Sequence, residues 1–92
     1  MPIKIIFNEL STNWENNIEW DLLYVKTQSH YMLDFYMVKG YLYLNTIYEN
    51  LGLAWNPEED NVCWIYKRDG ELKIEFSYDA KARNIIICIS KK

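Results

Sequence analysis

Only three glycines, two prolines, two cysteines and one histidine occur among the 92 residues, and each scarcity removes a class of function. Structure claims all three glycines. Gly40 and Gly52 stand where helices should stop, and Asp69-Gly70 reads as the turn of a two-residue hairpin. None remains for a phosphate-cradling loop, and no G-x-G-x-x-G or Walker pattern is present, which argues against nucleotide binding. Two cysteines and one histidine lack the paired spacing of a zinc site. Cys63 and Cys88 lie far apart in strand-like runs and read as buried, reduced thiols. A catalytic base would have to be sought first at His30, with Asp34 four residues on to orient its ring. No motif sets a nucleophile beside it, and His30 reads as a solvated residue on a helix's polar face.

Long apolar runs are also missing. No stretch of ~18 apolar residues could span a bilayer, and Met1–Phe7 is too short and too soon polar for a secretion signal. A cytoplasmic protein without a membrane partner is expected. Ten basic residues are scattered among thirteen acidic ones, for a net charge of −3. That distribution provides no basic field to displace counterions, so nucleic-acid binding by this chain alone is not expected. Glu58-Glu59-Asp60 lacks the alternation and the glycine of a calcium loop and reads as a solvated acidic loop. No cofactor or metal is expected.

What the chain has in quantity is aromatic and apolar mass. Half of its residues are hydrophobic and 16% are aromatic, with four tryptophans and eight tyrosines. That is enough for one core in one domain, residues 1–92. The surplus rings either fill a small core or form a contact surface.

Ile3–Phe7 reads as a short strand. Thr12 and Glu15 match a capping box, so a helix could begin there. The clear helical period comes later. Ile18, Leu22, Val25, Ser29, Met32 and Tyr36 share one face, and Tyr24, Gln28, Tyr31, Phe35 and Val38 form a second stripe beside it. A helix from residue 13 to residue 39 would be ~40 Å long, too long for a domain with an expected radius of gyration of ~12 Å. The favoured span is therefore Ile18 to Lys39, covered on two sides by a sheet and a short helix. A strand (Tyr41–Leu44), a cap (Asn45), a short helix (Thr46–Leu51) and a loop (54–61) follow.

Three strands complete the chain: Val62–Lys67, Leu72–Tyr78 and Ile85–Ser90. The last is apolar on both faces and belongs inside the sheet, between Leu72–Tyr78 and Ile3–Phe7. The predicted class is α+β, one long and one short helix on a small antiparallel sheet. A hairpin through Asp69-Gly70 sets Ile65 opposite Ile74 and Cys63 opposite Phe76, facing inward. Leu22, Val25, Met32, Ile65, Ile74, Phe76 and Ile87 are then core. Trp64 and Tyr66 fall on the outer face beside Lys73 and Glu75. With Trp55 in the adjacent loop, these five residues are the expected partner-binding surface.

The segment Gly40-Tyr-Leu-Tyr-Leu-Asn-Thr-Ile-Tyr-Glu-Asn-Leu-Gly-Leu53 resembles a motif of small uncharacterised proteins from phages and mobile elements of Gram-positive bacteria. In those proteins a helix leads into a glycine, an L-x-L-N step, an (I/V)-Y-x-x-L-G helix and a β hairpin. The resemblance implies a non-catalytic module that binds a host or phage protein, such as an anti-CRISPR-like inhibitor of a bacterial defence system. It leaves a phage structural or assembly accessory as the alternative and a small enzyme third. The expected partner is a protein, and the chain itself is a monomer or small homo-oligomer.

Overall fold

A computed structural model describes residues 3–92. The order is β1 (Ile3–Phe7), α1 (Ile18–Lys39), β2 (Tyr41–Tyr43), α2 (Leu44–Asn50), a 3-10 turn (Pro57–Glu59), β3 (Cys63–Ile65), α3 (Tyr66–Asp69), β4 (Leu72–Asp79) and β5 (Asn84–Lys91). The class is α+β, and α1 spans the expected residues. Its 22 residues run about 33 Å at 1.5 Å each, within a molecule 38 × 25 × 21 Å in extent.

The helix does not begin at the Thr12/Glu15 box, because those groups bind elsewhere. Thr12 N–H donates to Gly52 O (3.0 Å). Glu15 N–H donates to the buried carboxylate of Asp21 (2.9 Å). Asn17 is the cap instead; its Oδ1 accepts from Glu19 N–H (3.1 Å) and Trp20 N–H (3.3 Å). At the other end Gly40, at φ 83°, donates to Tyr36 O (2.8 Å).

Strand β5 is central, as its two-faced apolar pattern requires. It pairs antiparallel with β1 (Ile5 opposite Ile87) and with β4 (Phe76 opposite Ile87). Ile85, Ile87 and Ile89 point inward together with Ile5, Phe7 and Leu72. They meet Val25, Met32 and Tyr36 of α1, Leu44 and Ile47 of α2, and Leu51. Leu22, Ile74 and Phe76 lie half-buried at the margin of this core instead of within it.

The hairpin through Asp69-Gly70 does not form. A type I′ turn needs positive φ at both central residues, yet among the described residues only Asn16 and Arg83 carry positive φ without being glycine. Asp69 instead ends the helical turn α3, and Gly70 leaves it at φ 70°, ψ −155°. The preceding strand, shorter than expected, pairs with β2 in a separate ribbon: Tyr41 opposite Ile65, Leu42 opposite Trp64, Tyr43 opposite Cys63. Inward and outward positions are thereby exchanged. Trp64 is 6% exposed and Ile65 39%.

Two smaller expectations also change. Asn45 does not cap α2; it is buried within it, donating to Asn56 O (2.9 Å) and accepting from Asn56 N–H (2.9 Å). The acidic loop is solvated at Glu58 and Asp60 but tethered, since Asn45 also donates to Asp60 (3.3 Å) and Tyr48 OH donates to half-buried Glu59 (3.0 Å).

Candidate protein-binding face

The five residues expected to form one surface are dispersed. Trp64 is core, packed opposite Leu42. Tyr66 opens α3, with its ring 5.9 Å from that of Tyr36. Lys73 and Glu75 form an ion pair (3.3 Å) on the outward side of β4, beside Ser90 and Cys88 of β5. Trp55 is exposed next to Glu49 and Leu53, on a different part of the surface. The register assumed for Cys63–Lys67 had brought Trp64, Tyr66, Lys73 and Glu75 together, and that register is replaced by the β2–β3 ribbon.

A different aromatic face exists. Tyr31, Asp34, Phe35, Val38 and Lys39 line an open groove of about 430 Å³ on the C-terminal half of α1. Phe35 sets its ring edge-on to Tyr41 (5.8 Å), and Tyr41 meets Tyr43 in the same way (5.8 Å). Strand pairing extends the face to Ile65 and Cys63, because cross-strand partners share a side of the sheet. Tyr31, Tyr41, Tyr43 and Ile65 are exposed, and Val38 is 80% so. Exposed apolar residues thus adjoin one another across two elements, where singly scattered ones would need no explanation.

The second stripe read from the sequence contained this signal. Its first part is covered. The Tyr24 ring stacks on Phe7 (5.6 Å), and its hydroxyl donates to Asn50 O while accepting from Asn13 Nδ2 (2.8 Å). Burial holds the Tyr24 pKa above its usual value, with the Asn13 bond opposing the shift. From Tyr31 onward the stripe is more open: Tyr31 and Val38 are exposed, while Phe35 stays half-buried against the core and the Tyr41 ring.

The ribbon's two edges differ. Tyr66 N–H donates to Gly40 O and Leu44 N–H to Val62 O, each at 2.9 Å, which bracket the ladder. By antiparallel alternation the main-chain groups of Cys63 and Ile65 then point away from β2. Side chains of α3 fill that edge. Asp69 accepts from Ile65 N–H (2.9 Å), and Arg68 donates to Cys63 O (2.9 Å) while pairing with Asp69 (3.0 Å). Lys91 of β5 reaches the other carboxylate oxygen (3.2 Å). Hydrogen bonds from Arg68, then from Ile65 N–H and Lys91, hold the Asp69 carboxyl well below the usual carboxylate range. A strand edge capped in this way resists pairing with other chains.

Elsewhere the surface offers less. Trp14, Asn16, Ile18, Tyr78 and Arg83 line a cleft of about 160 Å³ between the α1 approach and the β4–β5 turn. His30 is exposed on α1. Cys63 and Cys88 are free and half-buried. Among the described residues no group of three metal-ligating side chains comes together, and no helix is long and apolar enough to cross a membrane.

Residues 4–89 match a family described as "Family of unknown function (DUF6353)". The chain belongs to the DUF6353 family. No curated protein and no solved structure matches it. The family match runs from β1 into β5, so in this DUF6353 chain it includes both the ribbon and the groove-bearing helix.

Proposed function

We propose that this DUF6353 protein is a non-catalytic protein-binding module whose working surface is the aromatic face formed by Tyr31, Phe35, Val38, Tyr41, Tyr43 and Ile65. The observation that carries the reading is the continuity of that face across two elements. A helix stripe and a strand ribbon meet edge to edge at Phe35, Tyr41 and Tyr43, and the tyrosines stay exposed. Tyrosine is enriched at contact centres because it combines large apolar area with a hydroxyl handle. The flanking Asp34 and Lys39 supply a charged rim.

The resemblance of Gly40–Leu53 to proteins of phages and mobile elements supports a finer version. In it the partner is a component of a bacterial defence system, met in the host cytoplasm. A phage assembly role is the alternative.

The test is capture from a Gram-positive host lysate by the wild-type chain and by a Tyr31→Ala, Tyr41→Ala, Tyr43→Ala variant. The expected result is a captured protein whose affinity drops at least tenfold in the variant while the melting temperature moves little. Capture unchanged by the three truncations would sink this face as the binding surface. Restored phage sensitivity of a defended strain on expression would support the anti-defence version, and unaltered defence would count against it.

A further inference from the structure

We infer that the occupant of the aromatic face in the free protein is a second copy of the chain, in a parallel two-fold pair in which Asp34 of each copy meets Lys39 of the other. This rests on the binding reading above and names the occupant of the same face. Along α1, Tyr24, Gln28, Tyr31, Phe35 and Val38 alternate at spacings of four and three, the seam positions of a two-stranded coil. Tyr24 is sequestered beneath Asn13 and Asn50. Tyr31 and Val38 are the seam positions left exposed, with half-buried Phe35 between them.

Charge selects the occupant and its orientation. Asp34 directly precedes Phe35 and lies on one flank of the seam; Lys39 directly follows Val38 and lies on the other. When two such helices run parallel, opposite flanks face each other, and a residue on one reaches the residue five positions on in the partner. Asp34 and Lys39 are separated by that interval. An antiparallel pair would instead set like flanks together, Asp34 against Asp34 and Lys39 against Lys39. Neither residue is engaged at home. The ion pairs among the described residues are Arg68–Asp69, Lys73–Glu75, Lys91–Asp69 and Lys92–Glu71.

The Tyr41 ring lies against Phe35 and the Tyr43 ring against Tyr41, so these tyrosines border the seam beside its last turns. The contact is nevertheless short, two turns of helix and a three-residue strand from each copy. Stable dimers usually bury about 1,200–2,000 Å² in total. A pair this small is weak and reversible, and an external protein with higher affinity for the same rings displaces the copy.

Sedimentation equilibrium on the full chain, from roughly 10 µM to 1 mM, reads the pairing directly. The wild type should follow a monomer–dimer equilibrium that weakens with added salt. Asp34→Lys and Lys39→Glu should each raise the dissociation constant about tenfold or more by setting like charges together. The double variant carrying both should recover the wild-type value. Circular dichroism melts accompany each variant. Should Lys39→Glu loosen the helix end, Asp34→Lys and a seam-breaking Val38→Glu carry the comparison.

A chain monomeric throughout that range overturns the inference, as does a dimer indifferent to Asp34→Lys or a double variant no tighter than the single ones. The two readings fail separately. A strictly monomeric chain whose capture of a lysate partner still depends on Tyr31, Tyr41 and Tyr43 keeps the binding face and removes the self-pairing. A charge-rescued dimer that captures its partner equally well without those tyrosines keeps the pairing and removes the face from partner recognition.

Discussion

Exchanging the inward and outward positions of β3 can be tested with two single truncations whose order of severity depends on it. Trp64 lies in the core opposite Leu42, whereas Ile65 faces outward beside Tyr41 at 39% exposure. Replacing a buried tryptophan by alanine costs about 3–5 kcal/mol through lost transfer energy and the cavity left behind. Ile65→Ala removes a side chain that already keeps much of its contact with water, and should cost about 1 kcal/mol. A domain of this length has about 5–14 kcal/mol of stability in total, so Trp64→Ala removes a large share of it. At roughly 4–8 °C per kcal/mol for a small domain, its melting temperature should fall by about 12–40 °C, against about 4–8 °C for Ile65→Ala. Urea unfolding gives the same comparison as free energies, provided the slope with denaturant is unchanged between variants. Had the strand paired with Leu72–Tyr78 through a two-residue turn, the ranking would reverse. Greater damage from Ile65→Ala than from Trp64→Ala would therefore refute the ribbon.

Two further outcomes follow from the loops that bind the elements together. Gly40 and Gly52 are both left-handed, but a Cβ on Gly40 meets nothing within 4 Å, while one on Gly52 would lie 2.6 Å from Asn13 Nδ2 and Thr12 Oγ1. Gly40→Ala should lose about 1 kcal/mol, from backbone strain alone. Gly52→Ala should lose about 2–4 kcal/mol, because the Ser11–Asn13 clamp must also give way; equal losses in urea unfolding would show that the clamp contributes nothing. At Asp69 the folded pKa lies below the unfolded value of about 4. Its contribution is therefore complete above that pH and is lost as pH falls towards the folded value. Asp69→Asn should flatten the acid side of the melting-temperature profile, and an unaltered slope would remove Asp69 as the hub of the β3 edge.

Local chemistry was legible in the sequence and long-range choice was not. The 3.6-residue period and the glycine at 40 mark the body and end of α1, whereas its start was set by the size of the domain and its cap, Asn17, was passed over for Thr12. The two-faced apolar run at Ile85–Ile89 likewise places β5 between two neighbours. Asp69-Gly70 failed as a turn signal because Asp69 has stronger partners in Ile65 N–H, Arg68 and Lys91, the last of them 22 positions away along the chain. No local pattern records that competition. With Tyr66–Asp69 coiled into a helical turn, Cys63–Ile65 pairs with Tyr41–Tyr43 and not with β4. The aromatic face was half legible. The stripe was evident, but periodicity cannot distinguish a face covered by another element from one that waits for an occupant.

The position of β5 at the centre of its sheet sets an order of events during synthesis. Strand β1 is made well before β5, yet its only neighbour in the sheet is Asn84–Lys91, and β4 likewise has no strand beside it until then. The helix and the β2–β3 ribbon can associate while the ribosome is still adding residues. Ile5 and Phe7 must stay unpaired until the last strand emerges. A nascent chain stopped at residue 83 therefore holds a formed upper layer over a sheet that does not exist, with its most hydrophobic strand edge open. Termination just before β5 should yield an aggregating or rapidly degraded product, although every other element has been made.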